Sequence, residues 1–220
     1  RGWGREGRRR ALGAPAERAG GGMEIPSHCR GLIFDCDGTL VDSMPHFFWT
    51  NARVAREHGF ELTMERFYAL AGLPIHEVFR SVAEEQGVLE IDIDSIMLRK
   101  EQLTPSNPVP VEAIAPVVDI ARAHHGRVPM MVASSGLRTY VTRHLTSAGI
   151  THLFEDVVTV EDVARGKPAP DLFLEAARRM GKAPAECLVF EDADLGVQAA
   201  RAAGMEVVDV RRLEGYPRPV

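Results

Sequence analysis

Five short apolar segments, separated by stretches of helical pattern, constrain the fold of this chain more than any other feature. They lie at residues 31–34, 128–133, 156–160, 187–190 and 205–210. The stretches with helical apolar spacing include 138–148, 170–180 and 194–203. Short continuous apolar runs are typical of strands buried on both faces, and strands that alternate with helices form right-handed crossovers in a parallel sheet. We therefore expect an α/β fold with helices on both faces of a parallel sheet.

One region, from Met44 to about Ser106, breaks this alternation. Apolar residues recur there at helical spacing, as at Val78, Phe79 and Val82, and no strand pattern of comparable strength is present. The segment that follows contains three prolines between 105 and 110, which stiffen the chain. Such a segment is suited to a hinge between two domains. We therefore expect a helical domain over residues 44–108, inserted after the first strand. The α/β core would comprise residues 23–43 and 109–220.

The composition excludes several classes of protein. Residues 1–22 carry six Arg and two Glu, so the rest of the chain has 20 basic and 29 acidic residues. An acidic body lacks the basic stripe of nucleic-acid-binding proteins. No apolar run reaches the length of about 18 residues that a membrane helix needs. We expect a soluble monomer without nucleic-acid or membrane partners.

The three cysteines and residues 1–22 bear on localisation. Cys29, Cys36 and Cys187 show no C-x-x-C spacing, which argues against a disulfide framework or a zinc site and for the cytoplasm. Residues 1–22 are rich in Arg, Gly and Ala, and we expect them to be disordered. Being Arg-rich, they could be a transit-peptide remnant, which would place the protein in an organelle stroma. Their two Glu and lack of Ser favour extra residues upstream of a start at Met23.

Acidic residues directly follow the first apolar segment. Asp35 and Asp37 lie two residues apart, and Gly38 allows the chain to turn sharply behind them. Ligands of open parallel sheets bind at the carboxyl ends of strands, where this pair would lie. Two close carboxylates repel unless a cation lies between them or one holds a proton, and both arrangements serve catalysis. A surface turn is the alternative.

Three further segments carry polar groups near the ends of strands or helices. Ser134-Ser135-Gly136 offers a hydroxyl and backbone N–H groups to an anion, or caps a helix. Lys167 lies in a Gly-Lys-Pro-Ala-Pro segment, although a solvated loop lysine is the ordinary alternative. Glu191 and Asp192 place oxygen ligands suited to Mg²⁺ at another strand end, where acids also stabilise a helix N-terminus.

In this order, the four segments closely resemble the motifs of the haloacid dehalogenase superfamily. The resemblance covers roughly residues 31–210 and implies a Rossmann-like parallel sheet core with an inserted helical cap domain. The insertion after the first motif resembles the subgroup of β-phosphoglucomutase and small sugar-phosphate phosphatases. Residues 189–210 are similar to fructose-1-phosphate and phosphogluconate phosphatases. The resemblance implies a Mg²⁺-dependent phosphatase that hydrolyses a small phosphorylated sugar or sugar acid through an aspartyl-phosphate.

The resemblance also implies a role for each motif residue. Asp35 would be the nucleophile and Asp37 the general acid and base, with Thr39 orienting Asp37. Ser134 and Lys167 would stabilise the transferring phosphoryl group. Mg²⁺ would be held by Asp35, Asp37, Glu191 and Asp192. Phosphate and substrate contacts would come from Gly38, Ser135, Gly136, His46 and His76.

Two alternative functions stay open from the sequence. A mutase of the β-phosphoglucomutase type shares the core motifs but needs a cation in the cap for a second phosphate. In this chain Ile75 stands where the resemblance places that Arg. A catalytically silent phosphate-binding module is the second alternative, and the presence of both Asp35 and Asp37 argues against it.

Overall fold

The computed structural model describes residues 23–70 and 73–217. The extension expected to be disordered, residues 1–22, lies outside these residues. The strands are β1 (Gly31–Phe34), β2 (Val41–Asp42), β3 (Glu112–Ala113), β4 (Met130–Ala133), β5 (Asp156–Val158), β6 (Cys187–Glu191) and β7 (Glu206–Asp209). The α-helices are α1 (Met44–Glu57), α2 (Met64–Ala69), α3 (Ile75–Glu85), α4 (Ile93–Leu103), α5 (Ala115–His124), α6 (Arg138–Ser147), α7 (Asp171–Arg179) and α8 (Asp194–Ala202).

Five strands form one parallel sheet in the order β5-β4-β1-β6-β7. Strand β1 is central, because Leu32 pairs with Met130 of β4 on one side and with Leu188 of β6 on the other. These are the five predicted strands, and their observed ends lie within two residues of the predicted ones. The predicted α/β fold with a Rossmann-like parallel sheet is confirmed.

Helices cover both faces of this sheet. Side chains alternate along β1, so Leu32 and Phe34 enter one hydrophobic cluster and Ile33 enters another. Helices α5 and α6 contribute buried residues to the first cluster, and α7 and α8 contribute to the second. The three layers bury the parallel strands on both sides, which is why each strand reads as a continuous apolar run.

Helices α1 to α4 form the helical insertion between β2 and β3, with a hydrophobic cluster of their own that includes Val54, Phe79 and Ile96. The two short strands pair antiparallel, with Val41 opposite Ala113, so the chain enters and leaves the helical insertion side by side. The exact domain boundaries at 44 and 108 stay a prediction. Across residues 23–70 and 73–217, no helix is both long and apolar enough to cross a bilayer.

Candidate active site

The polar segments predicted from the sequence follow three neighbouring strands of the sheet. Asp35 directly follows β1, Ser134 follows β4, and Glu191 is the last residue of β6. In the register, Phe34 at the end of β1 lies beside Val132 and Phe190. Because the strands are parallel, their carboxyl ends share one edge, and the functional side chains meet there.

A buried ion cluster is centred on Lys167. Its Nζ lies 2.5 Å from Asp35 Oδ1 and 2.7 Å from Glu191 Oε2. The three side chains are 7%, 9% and 1% exposed, in that order. Burial acts to lower the pKa of Lys167, but the charges of Asp35 and Glu191 outweigh it and raise the pKa. Lys167 is therefore an ammonium ion at neutral pH, fixed against the predicted nucleophile.

Glu191 is held at both oxygens. While Oε2 receives Lys167, Oε1 accepts the backbone N–H groups of Asp192 at 3.1 Å and Ala193 at 2.9 Å. Gly196 of α8 packs directly against this carboxylate, since a Cβ there would lie 2.0 Å from Oε2. Glu191 thus supports Lys167 and the following loop through contacts that use both of its oxygens.

Oxygen atoms of Asp35, Glu191 and Asp192 all lie within 4.8 Å of one another. Burial and the charge of Glu191 raise the pKa of Asp35 well above its usual range and raise the pKa of Asp192 to about 6. Three carboxylates against the one ammonium of Lys167 leave an excess of negative charge. An oxygen-only donor set of this kind fits a hard divalent cation such as Mg²⁺.

The loop after β1 turns at Gly38, whose φ is +89°. A Cβ there would lie 2.2 Å from Asp192 Oδ2, so both the turn and the close approach to Asp192 require glycine. Tyr216 donates a 2.5 Å hydrogen bond to the Gly38 carbonyl. The expectation that Thr39 orients Asp37 is wrong. Beyond the turn, the Thr39 hydroxyl instead donates to Asp192 Oδ1 at 2.9 Å.

The segment predicted to bind phosphate begins with a buried serine. Ser134 Oγ accepts the Gly136 N–H at 3.0 Å, which leaves its own hydroxyl hydrogen to be donated. A Cβ on Gly136 would lie 3.7 Å from Asp37 Oδ2. Ser134, Gly136 and Asp37 are therefore neighbours, whereas Ser135 is exposed beside them.

One residue of the site, His144, escaped the sequence analysis. Its Nδ1 lies 2.8 Å from Asp37 Oδ1, and the side chain is only 3% exposed. His144 shares a face of α6 with the buried Val141 and Leu145. The sequence did contain an indication of this position, because His144 follows Val141 by three residues and so lies on the apolar face of the helix after Ser134.

The two histidines predicted to contact substrate lie in different environments. His46 of α1 is buried, and its Nδ1 donates to the Val109 carbonyl at 2.9 Å. Its ring centroid lies 5.4 Å from that of His144, so His46 belongs to the same neighbourhood as Asp37. His76 is exposed near the start of α3, where its ring lies 4.0 Å from Glu77. Among the described residues, no hydrogen bond joins His76 to the carboxylate cluster.

Comparison with known proteins assigns this arrangement to a family. The family model described as haloacid dehalogenase-like hydrolase matches residues 32–210. The chain is 38% identical over 185 residues to the fructose-1-phosphate phosphatase YqaB of Escherichia coli, covering 83% of this chain and 97% of that protein. It is 33% identical over 192 residues to hexitol phosphatase A of Escherichia coli, covering 86% and 87% of the two chains.

A solved structure supports the same assignment. A HAD family hydrolase from Deinococcus radiodurans, determined with bound phosphate and sodium, superposes with a TM-score of 0.70 at 27% identity. The superposition covers 89% of this chain and 86% of the other. The match thus extends over both the parallel sheet and the helical insertion.

Proposed function

Since the chain belongs to the haloacid dehalogenase-like hydrolases and is a phosphoric monoester hydrolase, we propose that it hydrolyses small phosphorylated sugars or sugar acids through an aspartyl-phosphate. The observation that carries this proposal is the buried ion cluster of Asp35, Lys167 and Glu191, with Asp192 beside it and Asp37 two residues after Asp35. The activities named for YqaB and hexitol phosphatase A support a phosphosugar substrate.

In the first step, the Asp35 carboxylate attacks phosphorus and the bond to the sugar oxygen breaks. Asp37 donates its proton to the departing alkoxide. Lys167 neutralises charge on the transferring phosphoryl group, and the hydroxyl of Ser134 donates to one of its oxygens. Lys167 also fixes the direction of Asp35, because it occupies Oδ1 at 2.5 Å.

A bound Mg²⁺ supplies positive charge that lets the anionic nucleophile approach the anionic phosphate. The residues that would hold it are Asp35, Asp192 and the backbone carbonyl of Asp37. Glu191 stands in support, because Lys167 and two N–H groups already occupy its oxygens. Thr39 orients Asp192 through its 2.9 Å hydrogen bond.

In the second step, Asp37 takes a proton from water, which attacks phosphorus and releases the Asp35 carboxylate and inorganic phosphate. Both steps need bulk water kept away while charge develops. We assign the exclusion of bulk water to the helical insertion, which would act as a cap over the site. His46 places α1 close to Asp37 through its contact with His144.

The environment of Ile75 favours a phosphatase over a mutase. A mutase must bind the second phosphate of a bisphosphorylated sugar with a cation in the cap. Ile75 is partly buried and packs against the hydrophobic cluster of the helical insertion. Ile75 therefore offers no cation to hold the second phosphate of a bisphosphorylated sugar. Without a sugar held in this way, water is the acceptor of the phosphoryl group.

The test is Asp35→Asn, which keeps the shape of the side chain but removes the nucleophile. Asp119→Asn is the matched control, since Asp119 is exposed on α5 and, among residues 23–70 and 73–217, pairs only with Arg122. Each protein is assayed on fructose 1-phosphate, a hexitol phosphate and 6-phosphogluconate with Mg²⁺. We expect Asp119→Asn to match wild type and Asp35→Asn to lose more than about a hundredfold in kcat.

The intermediate is tested separately with radiolabelled substrate phosphate. Wild-type protein quenched in acid during turnover should retain label, and Asp35→Asn should not. An Asp35→Asn protein with a kcat above about a hundredth of wild type, or label retained equally by both proteins, would overturn the proposed mechanism.

A further inference from the structure

His144 contacts the carboxylate to which we assign proton transfer. We propose that His144 is a positioning residue that holds Asp37 Oδ1 and leaves Oδ2 as the oxygen that carries the transferred proton. This inference rests on the proposed function, because it concerns how Asp37 is oriented for that reaction. His144 itself touches neither the phosphate nor the leaving group in this assignment.

The geometry of the contact supports the division between the two oxygens. His144 Nδ1 lies 2.8 Å from Asp37 Oδ1, and in the arrangement that we propose the Nδ1–H group is the donor. Asp37 Oδ2 faces the loop after β4, where it would lie 3.7 Å from a Cβ on Gly136, which in turn would lie 3.4 Å from Ser134 Oγ. Oδ2 is thus directed toward the group proposed to bind the phosphoryl oxygen, while Oδ1 is directed away into α6.

His144 can act in this way because its own ring is fixed. The side chain is 3% exposed and lies on the buried face of α6. Two rings of α1 contact it edge-on, His46 with a centroid distance of 5.4 Å and Phe47 with one of 5.8 Å. His46 is fixed in turn by the Val109 carbonyl. A ring packed this closely has one orientation, and so does the carboxylate bonded to it.

Within the described part of the chain, no side chain other than His144 forms a hydrogen bond with the Asp37 carboxylate. Thr39, the neighbour that the sequence offered for this role, bonds to Asp192 instead. Removal of the His144 N–H therefore frees the Asp37 side chain to rotate about χ1 and χ2. The protonated oxygen would then spend less time in line with the leaving group, and proton transfer would slow.

Leaving-group dependence separates positioning of an acid from a general structural role. The alkoxide of a sugar needs a proton to leave, whereas p-nitrophenolate leaves without one. In this reaction kcat/KM reports the steps up to the first irreversible transfer, which is the formation of the aspartyl-phosphate. A misplaced acid should therefore lower kcat/KM for fructose 1-phosphate and spare kcat/KM for p-nitrophenyl phosphate.

The variants are His144→Leu, which fills similar space without an N–H, and His144→Asn, whose amide N–H can replace Nδ1–H. Because general acid catalysis contributes about 10²–10⁴-fold, we expect His144→Leu to lose roughly 10- to 100-fold on fructose 1-phosphate. The expected loss on p-nitrophenyl phosphate is below about threefold, and His144→Asn should recover most of the activity on the sugar ester. The ratio of the two kcat/KM values does not depend on the fraction of folded enzyme, so partial misfolding does not obscure the result.

Each outcome decides one of the two claims. If wild type hydrolyses neither ester, the proposed function fails. If wild type is active and His144→Leu loses equally on both esters, or on neither, the positioning role of His144 is refuted while the function stands. The same holds if His144→Asn is as impaired as His144→Leu on fructose 1-phosphate. A selective loss on the sugar ester that His144→Asn repairs supports the inference.

Discussion

Replacing Gly196 with Ala sets helix propensity against packing at the ion cluster. Gly196 lies in the first turn of α8, where an Ala would ordinarily stabilise the helix by about 1 kcal/mol. Its Cβ, however, would lie 2.0 Å from Glu191 Oε2 and 2.1 Å from Glu191 Cδ. The carboxylate must therefore move by more than an ångström to restore ordinary van der Waals contact.

The cost follows from what Glu191 gives up when it moves. Its side chain is 1% exposed, accepts two backbone N–H groups and lies 2.7 Å from Lys167 Nζ. Overpacking in a core costs about 1–3 kcal/mol, and a weakened hydrogen bond to a buried charge costs roughly 1.5–3 kcal/mol. After the helix gain of about 1 kcal/mol is subtracted from these two costs, the expected net loss in the free energy of unfolding is about 1.5–5 kcal/mol.

Urea denaturation of wild type, Gly196→Ala and Gln198→Ala measures this balance. Gln198 is exposed on the same helix, so Gln198→Ala reports helix propensity without the clash. We expect Gln198→Ala to equal or exceed wild type in stability and Gly196→Ala to fall clearly below it, with phosphatase activity lost as well. A Gly196→Ala protein that is as stable as Gln198→Ala and fully active would refute the packing argument.

Two further predictions concern the carboxylate cluster. Burial and Glu191 raise the pKa of Asp192 to about 6 from an unfolded value near 3.8, so the folded protein binds a proton more tightly than the unfolded chain. In metal-free buffer, the contribution of proton binding at Asp192 to the free energy of unfolding is therefore fully present below about pH 4. It is lost as the pH rises through about 6. Asp192→Asn should be more stable than wild type at pH 7 and lose that advantage near pH 4, and an equal difference at both pH values would contradict this reasoning. Mg²⁺ should raise the thermal unfolding midpoint of wild type more than that of Asp192→Asn, and EDTA should reverse the gain. An unfolding midpoint that does not respond to Mg²⁺ would argue against the cation site.

Much of the fold and the central cluster could be predicted from local sequence. Each sheet strand is an apolar run that ends at polar residues, which is a consequence of burial on both faces. The carboxyl ends of parallel strands share one edge, so the predicted residues Asp35, Ser134 and Glu191 had to meet there. Lys167 lies in the segment before α7. Its ammonium group pairs with the carboxylates of Asp35 and Glu191, which have the opposite charge.

The missed features depend on contacts between distant residues. The pairing of β2 with β3 involves two residues on each strand, too short a run to show a period of two. Thr39 follows the turn at Gly38, and its hydroxyl donates to Asp192, which is 153 residues away in the sequence. His144 reaches Asp37 across 107 residues of sequence, and its position on the buried face of α6 was the local sign.

The central position of β1 has a consequence for synthesis on the ribosome. The strand that precedes the proposed nucleophile Asp35 is made first among the strands of the sheet, yet Gly31 pairs with Cys187 and Leu32 pairs with Met130. At roughly 5–20 residues per second, on the order of 8–30 s pass between translation of β1 and translation of β6. Until β4 is made, both edges of this apolar strand lack their native partners, and the edge that pairs with β6 lacks its partner for the whole interval, which is a condition that invites aggregation. The helical insertion is complete in sequence before β4 is made and has a hydrophobic cluster of its own, so it can fold during this interval.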